Sequence, residues 1–156
     1  MSSYHRFIVK LISSFFFVGY LPLVPGTFGS LAGLAVFFFV KGSTFDLIFV
    51  TFIVTVLGFL ASQEAEKVFN KKDDRRIVID EVSGMLISLL FLPPEPAIIF
   101  FAFFIFRALD TLKPFPANGL QKLKGGLGVM SDDIVAGIYT NITLQVVVRF
   151  ATFKAS

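Results

Sequence analysis

VSGMLISLLFLPPEPAIIFFAFFIF, residues 82–106, decides how this chain is built. Its 25 residues exceed the roughly 20 apolar residues that one helical membrane span needs. Yet Pro93-Pro94-Glu95-Pro96 interrupts the run. Proline inside a helix removes a backbone hydrogen bond and clashes with the preceding turn. The stretch therefore reads as a helical hairpin over 82–109. A hairpin returns Arg107 and Asp110 to the side that holds Asp80 and Glu81. A single span would separate them by about 30 Å, the thickness of the hydrocarbon core.

Outward from the hairpin, apolar segments recur at 28–40, 45–61 and 134–151. They show no alternation, and their length favours helix over strand. The apolar stretch 11–24 carries Ser13, Ser14, Gly19 and Pro22 and follows basic residues. It reads as an N-terminal interfacial helix. Lys41-Gly42-Ser43 reads as a tight turn, and EAEKVFNKKDDRR (64–76) as a charged surface loop or solvated helix. Hydrophobic residues make up 55% of the chain, 22 residues are Phe and the mean hydropathy is +0.81. A soluble domain would not need apolar runs of this length. The expected fold is all-α: a multi-helical membrane-embedded bundle of short helices, one domain over 1–156, with no cleavable signal peptide.

The basic residues set an expected orientation. The N-terminus, 62–81 and 107–133 hold eleven of the fourteen Lys and Arg residues. Positive charge accumulates on the cytoplasmic side, which places these segments there. The expected location is the bacterial inner membrane, crossed several times. No basic run is interleaved with aromatics, so nucleic acid is not an expected partner.

Elimination narrows the chemistry. There is no cysteine, hence no thiolate nucleophile or thiolate metal site. The single histidine, His5, lies near the terminus, which argues against phosphohistidine chemistry and Ser-His triads. Carboxylates remain, and five of the eleven fall in three clusters beside apolar runs: Asp80 and Glu81, Asp110, and Asp132 and Asp133. Charge beside membrane-grade sequence is expensive and marks function. Adjacent acids repel unless a cation lies with them, and oxygen ligands select Mg²⁺ or Mn²⁺.

Four motifs carry these residues. LPLVPGTFGSLAG (21–33) opens an apolar helix with Thr27 or Ser30 as the expected cap, and its N–H groups suit an anion. IVIDEVSGM (77–85) starts a helix with two acids. FRALDTLKPFP (106–116) places Arg107, Asp110 and Lys113 on one helix face before Pro114 ends it. There Arg107 and Lys113 suit phosphate oxygens. GGLGVMSDDIVAG (125–137) reads as a glycine-rich loop, then Ser131 as a cap for a helix that begins with Asp132 and Asp133.

In this order, the four motifs resemble those of the phosphatidylglycerophosphatase A family, bacterial membrane lipid phosphatases, and the resemblance spans roughly 13–150. It implies Mg²⁺-dependent hydrolysis of the terminal phosphomonoester of phosphatidylglycerophosphate, an anionic phospholipid, at the cytoplasmic face. It also implies that the family's acidic positions correspond here to Asp80, Glu81, Asp110, Asp132 and Asp133. On the combined reading Asp80, Glu81, Asp132 and Asp133 hold metal, while Arg107, Lys113, Gly26 and Thr27 bind phosphate. Two other classes compete. A CDP-alcohol phosphotransferase would need a DGxxAR-type array, which the sequence lacks, and a small cation transporter would carry its acids mid-span.

Overall fold

The computed structural model describes residues 2–155, and side chains over 2–151. Among the described residues seven α-helices run in chain order: α1 (Ser3–Ser13), α2 (Pro25–Val40), α3 (Thr44–Phe69), α4 (Ile79–Ser88), α5 (Pro96–Leu112), α6 (Ala117–Leu120) and α7 (Gly126–Ala155). A 3-10 turn at Val18–Tyr20 follows α1, and no strand occurs among the described residues.

The proline break behaves as expected: α4 ends at Ser88 and α5 begins at Pro96, with Pro at its first turn. Other boundaries differ from expectation. The N-terminal helix occupies Ser3–Ser13, and 14–24 is irregular apart from the 3-10 turn. Phe15, Phe16, Phe17 and Leu23 take positive φ there, so the apolar content of 11–24 does not produce a helix. α2 starts at Pro25, because proline is pre-organised for the first helical position. Thr27 and Ser30 consequently lie inside the helix and do not cap it, and the Ser30 hydroxyl donates to Gly26 O at 3.1 Å. α3 continues through 64–69, so half of the charged segment is helix. α7 begins at Gly126, which makes Ser131 a mid-helix residue and sets Asp132 and Asp133 nearly two turns inside.

Short α4 is the hub. Asp80, Val82, Ser83, Gly84, Met85, Leu86 and Ser88 are all buried against α2, α3, α5 and α7. Glycines let these helices approach closely. A Cβ on Gly84 would lie 2.7 Å from Asp133 O, and one on Gly137 would lie 2.5 Å from Gly84 O. Gly29 and Gly33 bring α2 against Val78 and Met85 in the same way, a small-xxx-small contact. The Thr55 and Ser83 hydroxyls hydrogen-bond at 2.7 Å between α3 and α4. Asn141 of α7 donates to Ser88 O and Leu90 O at 3.1 and 2.7 Å, satisfying carbonyls that the end of α4 leaves without partners.

The outward flanks of the long helices are apolar. α3 turns Leu47, Thr51, Val54 and Gly58 inward and leaves Phe45, Phe49, Phe52 and Leu60 exposed. Ile142, Val147 and Phe150 are exposed on α7. A soluble bundle would put polar residues on these flanks. α3 and the Gly126–Ala151 part of α7 are each long and apolar enough to cross a membrane.

Candidate active site

Four helices meet at one place, α2 and α4 by their first turns, α5 by its last turn and α7 by its second. The first turn of α4 supplies Asp80, which is buried, and Glu81, which is half-buried. α7 supplies Asp133 across the Gly84–Gly137 contact. One carboxylate oxygen from each of Asp80, Glu81 and Asp133 lies within 4.8 Å of the others. The hairpin brings α5 to the same end: Asp110 is an electrostatic neighbour of both Glu81 and Asp133.

The cations divide between two acids. Arg107 Nη1 forms a short ion pair with Asp110 Oδ2 and also reaches Ser30 Oγ at 3.5 Å. Lys113 Nζ pairs with Asp132 Oδ2 at 2.6 Å. The expected common face of Arg107, Asp110 and Lys113 does not form. α5 ends at Leu112, and Lys113 takes a left-handed conformation (φ 46°) that turns it toward α7. Asp132 points to Lys113, away from the three clustered carboxylates, because adjacent residues on a helix face different directions. Gly26 lies at the site itself. A Cβ there would clash with Glu81 Oε1 and sit 3.2 and 3.3 Å from the Arg107 Nη atoms. Thr27 occupies the same first turn of α2, its N–H bonded to Val24 O at 3.1 Å.

Burial makes this cluster electrostatically costly. The Asp80 carboxyl is raised well above its ordinary range, first by burial and then by Glu81 and Asp133. Burial also pushes Glu81 up to about 7. Among the described residues, Asp80 Oδ1, Glu81 Oε2, Asp132 Oδ1 and Asp133 Oδ1 are buried with no hydrogen-bond partner. Buried carboxylate oxygens without partners are strongly destabilising. A hard divalent cation would satisfy them, and a three-carboxylate oxygen set within this span suits one.

One supporting pair was hidden in the sequence. Asp74 is buried, and its Oδ1 accepts from Arg76 N and Nε at 3.1 and 2.7 Å while Oδ2 accepts from Nη2 at 3.0 Å. Arg76 also lies 4.2 Å from the Phe69 ring centroid. The pair fixes the loop that leads into Asp80, and Arg76 holds the Asp74 carboxyl below its usual range. Within the run KKDDRR it looked like solvated charge, and nothing in the spacing separates Asp74 from Asp73.

The sequence profile of phosphatidylglycerophosphatase A matches residues 11–148. The chain belongs to that family. Family membership makes it a phosphatase and sets aside the phosphotransferase and transporter readings. A phosphatidylglycerophosphatase A of Escherichia coli is 35% identical over 77% of this chain and 72% of its own length. A protein of the same name from Haemophilus influenzae is 36% identical over 87% of this chain and 86% of its own length. A Bacteroides thetaiotaomicron protein, provisionally named a phosphatidylinositol-3-phosphatase, is 33% identical over 90% of this chain and 93% of its own length. No solved structure matches the chain.

Proposed function

We propose that this phosphatase hydrolyses the terminal phosphomonoester of phosphatidylglycerophosphate to phosphatidylglycerol and phosphate, at the cytoplasmic face of a bacterial inner membrane that the chain crosses several times. The observation that carries the reading is the convergence of Asp80, Glu81 and Asp133 with the Arg107–Asp110 pair at one end of an apolar bundle. The names of the E. coli and H. influenzae relatives supply the substrate.

Asp80, Glu81 and Asp133 would hold Mg²⁺, and their unpartnered oxygens fit that role. Bound there, the cation supplies positive charge for the phosphoryl oxygens and acidifies water. Asp132, expected to join the metal set, instead acts through Lys113, with which it is paired. Arg107 offers a planar fork to two phosphate oxygens, and Ser30 and Asp110 hold that fork in place. Lys113, paired with Asp132, would add a point charge. Gly26 lets the first turn of α2 pack against the Glu81 carboxylate and the Arg107 fork, which any side chain there would crowd. Asp110 is the carboxylate outside the three-acid group that lies next to both Asp133 and the Arg107 fork, so it takes the proton from the attacking water.

The test is product release from purified protein in detergent micelles, after chelation and with Mg²⁺ restored. Phosphatidylglycerophosphate should be dephosphorylated only with the cation. Equal turnover in excess chelator would remove the metal role. Phosphate release from phosphatidylinositol 3-phosphate but not from phosphatidylglycerophosphate would reassign the substrate along the line of the B. thetaiotaomicron name.

A further inference from the structure

Two exposed apolar residues sit against the charged site. Leu23 is 90% exposed and Phe115 is 89% exposed. Leu23 lies three residues before Gly26, which abuts Glu81 and Arg107. Phe115 lies two residues after Lys113, the partner of Asp132. Both are presented on restrained backbone. Pro22 and Pro25 bracket Leu23, which is held at φ 77°, a left-handed conformation that leucine adopts only against strain. Pro114 and Pro116 bracket Phe115, and its carbonyl accepts a 2.9 Å hydrogen bond from the Tyr139 hydroxyl of α7. Val24 and Leu112 beside them are exposed too.

These residues differ from the apolar flanks of α3 and α7. They stand where α2 begins and α5 ends, within three residues of site groups. Strained, exposed backbone next to a reactive cluster is characteristic of ligand clamps. We propose that Leu23, Val24, Leu112 and Phe115 form a lip that holds the glycerol backbone and upper acyl chains of one bound lipid, while its phosphate lies at Arg107 and Lys113. This rests on the lipid phosphatase reading above and extends it to the apolar half of the substrate. Charge and apolar surface are joined here in the order that an anionic phospholipid joins them. A water-soluble phosphomonoester would leave the lip with nothing to bury.

Two measurements test it. In the first, Leu23→Asn and Phe115→Ser are assayed on long-chain phosphatidylglycerophosphate and on its dihexanoyl analogue below the micellar concentration. Asn tolerates positive φ, and Phe115 is exposed, so both variants should fold. The kcat/KM ratio of long-chain to short-chain substrate should fall about tenfold in each, the scale of losing contact with one large apolar side chain. An unchanged ratio overturns the lip. The second measurement does not depend on turnover. The chain has no Trp, so Phe115→Trp gives a single tryptophan that can be excited selectively at the red edge, beyond the tyrosines. Bromine-labelled phosphatidylglycerol should quench it at a lower mole fraction than bromine-labelled phosphatidylcholine. Equal quenching by both lipids overturns the proposal. Preferential quenching in a protein that leaves phosphatidylglycerophosphate intact would support the lip and sink the substrate assignment instead.

Discussion

Asp80 and Asp133 face each other from α4 and α7 with an oxygen each that nothing in the protein satisfies. Asp80→Asn and Asp133→Asn keep the shape and remove the charge. Each should lower kcat at least 100-fold, about 2.7 kcal/mol of barrier, in a protein that still folds in detergent. Retention of more than a tenth of the activity would take that residue out of the metal set. The same crowding has a signature in stability. Glu81 sits at about 7 in the folded chain, above its ordinary 4.5. The folded state therefore binds more protons than the unfolded one between those values, and stability falls as pH rises through that window. In chelator, the Tm in micelles should drop from pH 5 to pH 8. Glu81→Gln should flatten the slope, and Mg²⁺ should restore the Tm at the upper end. A Tm that climbs with pH in chelator would contradict the burial argument. The acidic positions were legible because charge is rare in this chain and each pair borders an apolar run. The partnering was not: Asp132 and Asp133 look alike in sequence, and only the direction each takes from α7 separates the Lys113 partner from the clustered acid.

α4 and α7 meet backbone to backbone, and the site depends on it. Gly137→Ala would press a methyl group onto Gly84 O. The helices must part, at a cost of about 1–3 kcal/mol, and Asp133, one turn away, moves with α7. Activity should fall further than stability does, seen as a loss of kcat in a fraction that still unfolds cooperatively. At the other end of α4, Asn141→Ala would strip the donors from Ser88 O and Leu90 O. The expected loss is about 1–3 kcal/mol for carbonyls left unsatisfied, with Asp80, Glu81 and Asp133 undisturbed. The hairpin itself could be read from the proline cluster, because proline acts locally. The early start of α7 could not. Gly126 and Gly128 look like loop residues, yet they form its first turn because a side chain at Gly126 would strike Phe59 O and one at Gly128 would strike Leu123 O. Close packing decided the matter, and glycine serves close packing and loops equally well.

The whole bundle gathers most of its basic and acidic groups at one end, with Lys41, Asp46 and Glu95 at the other. Lys72 Nζ donates to Lys122 O at 3.4 Å, although the residues are 50 apart in sequence. Cysteines placed singly at Lys72 and Lys122 should therefore react from the same side of the membrane with an impermeant thiol reagent. Under the proposed orientation that side is the cytoplasm, and labelling should require permeabilised cells. Cysteines at Ser43 and Glu95 should label differently, since those positions lie in the turns at the opposite ends of α3 and α5. Opposite accessibility of Lys72→Cys and Lys122→Cys would break the arrangement on which the site rests.

α4 is ten residues long, about 15 Å at 1.5 Å per residue, half of a hydrocarbon core. Its acids occupy the first turn, and below them Met85, Leu86 and Leu89 are almost wholly buried. Asn141 then closes the far end. A lipid bilayer that hosts several buried carboxylates runs the danger of conducting protons. Under the proposed orientation the lower half of α4 would act as electrical insulation, so protons would reach these carboxylates from one side alone. Vesicles loaded with the working enzyme should hold a pH gradient as long as vesicles without it, while Leu86→Asp, which places a carboxylate in the insulating layer, should let the gradient collapse.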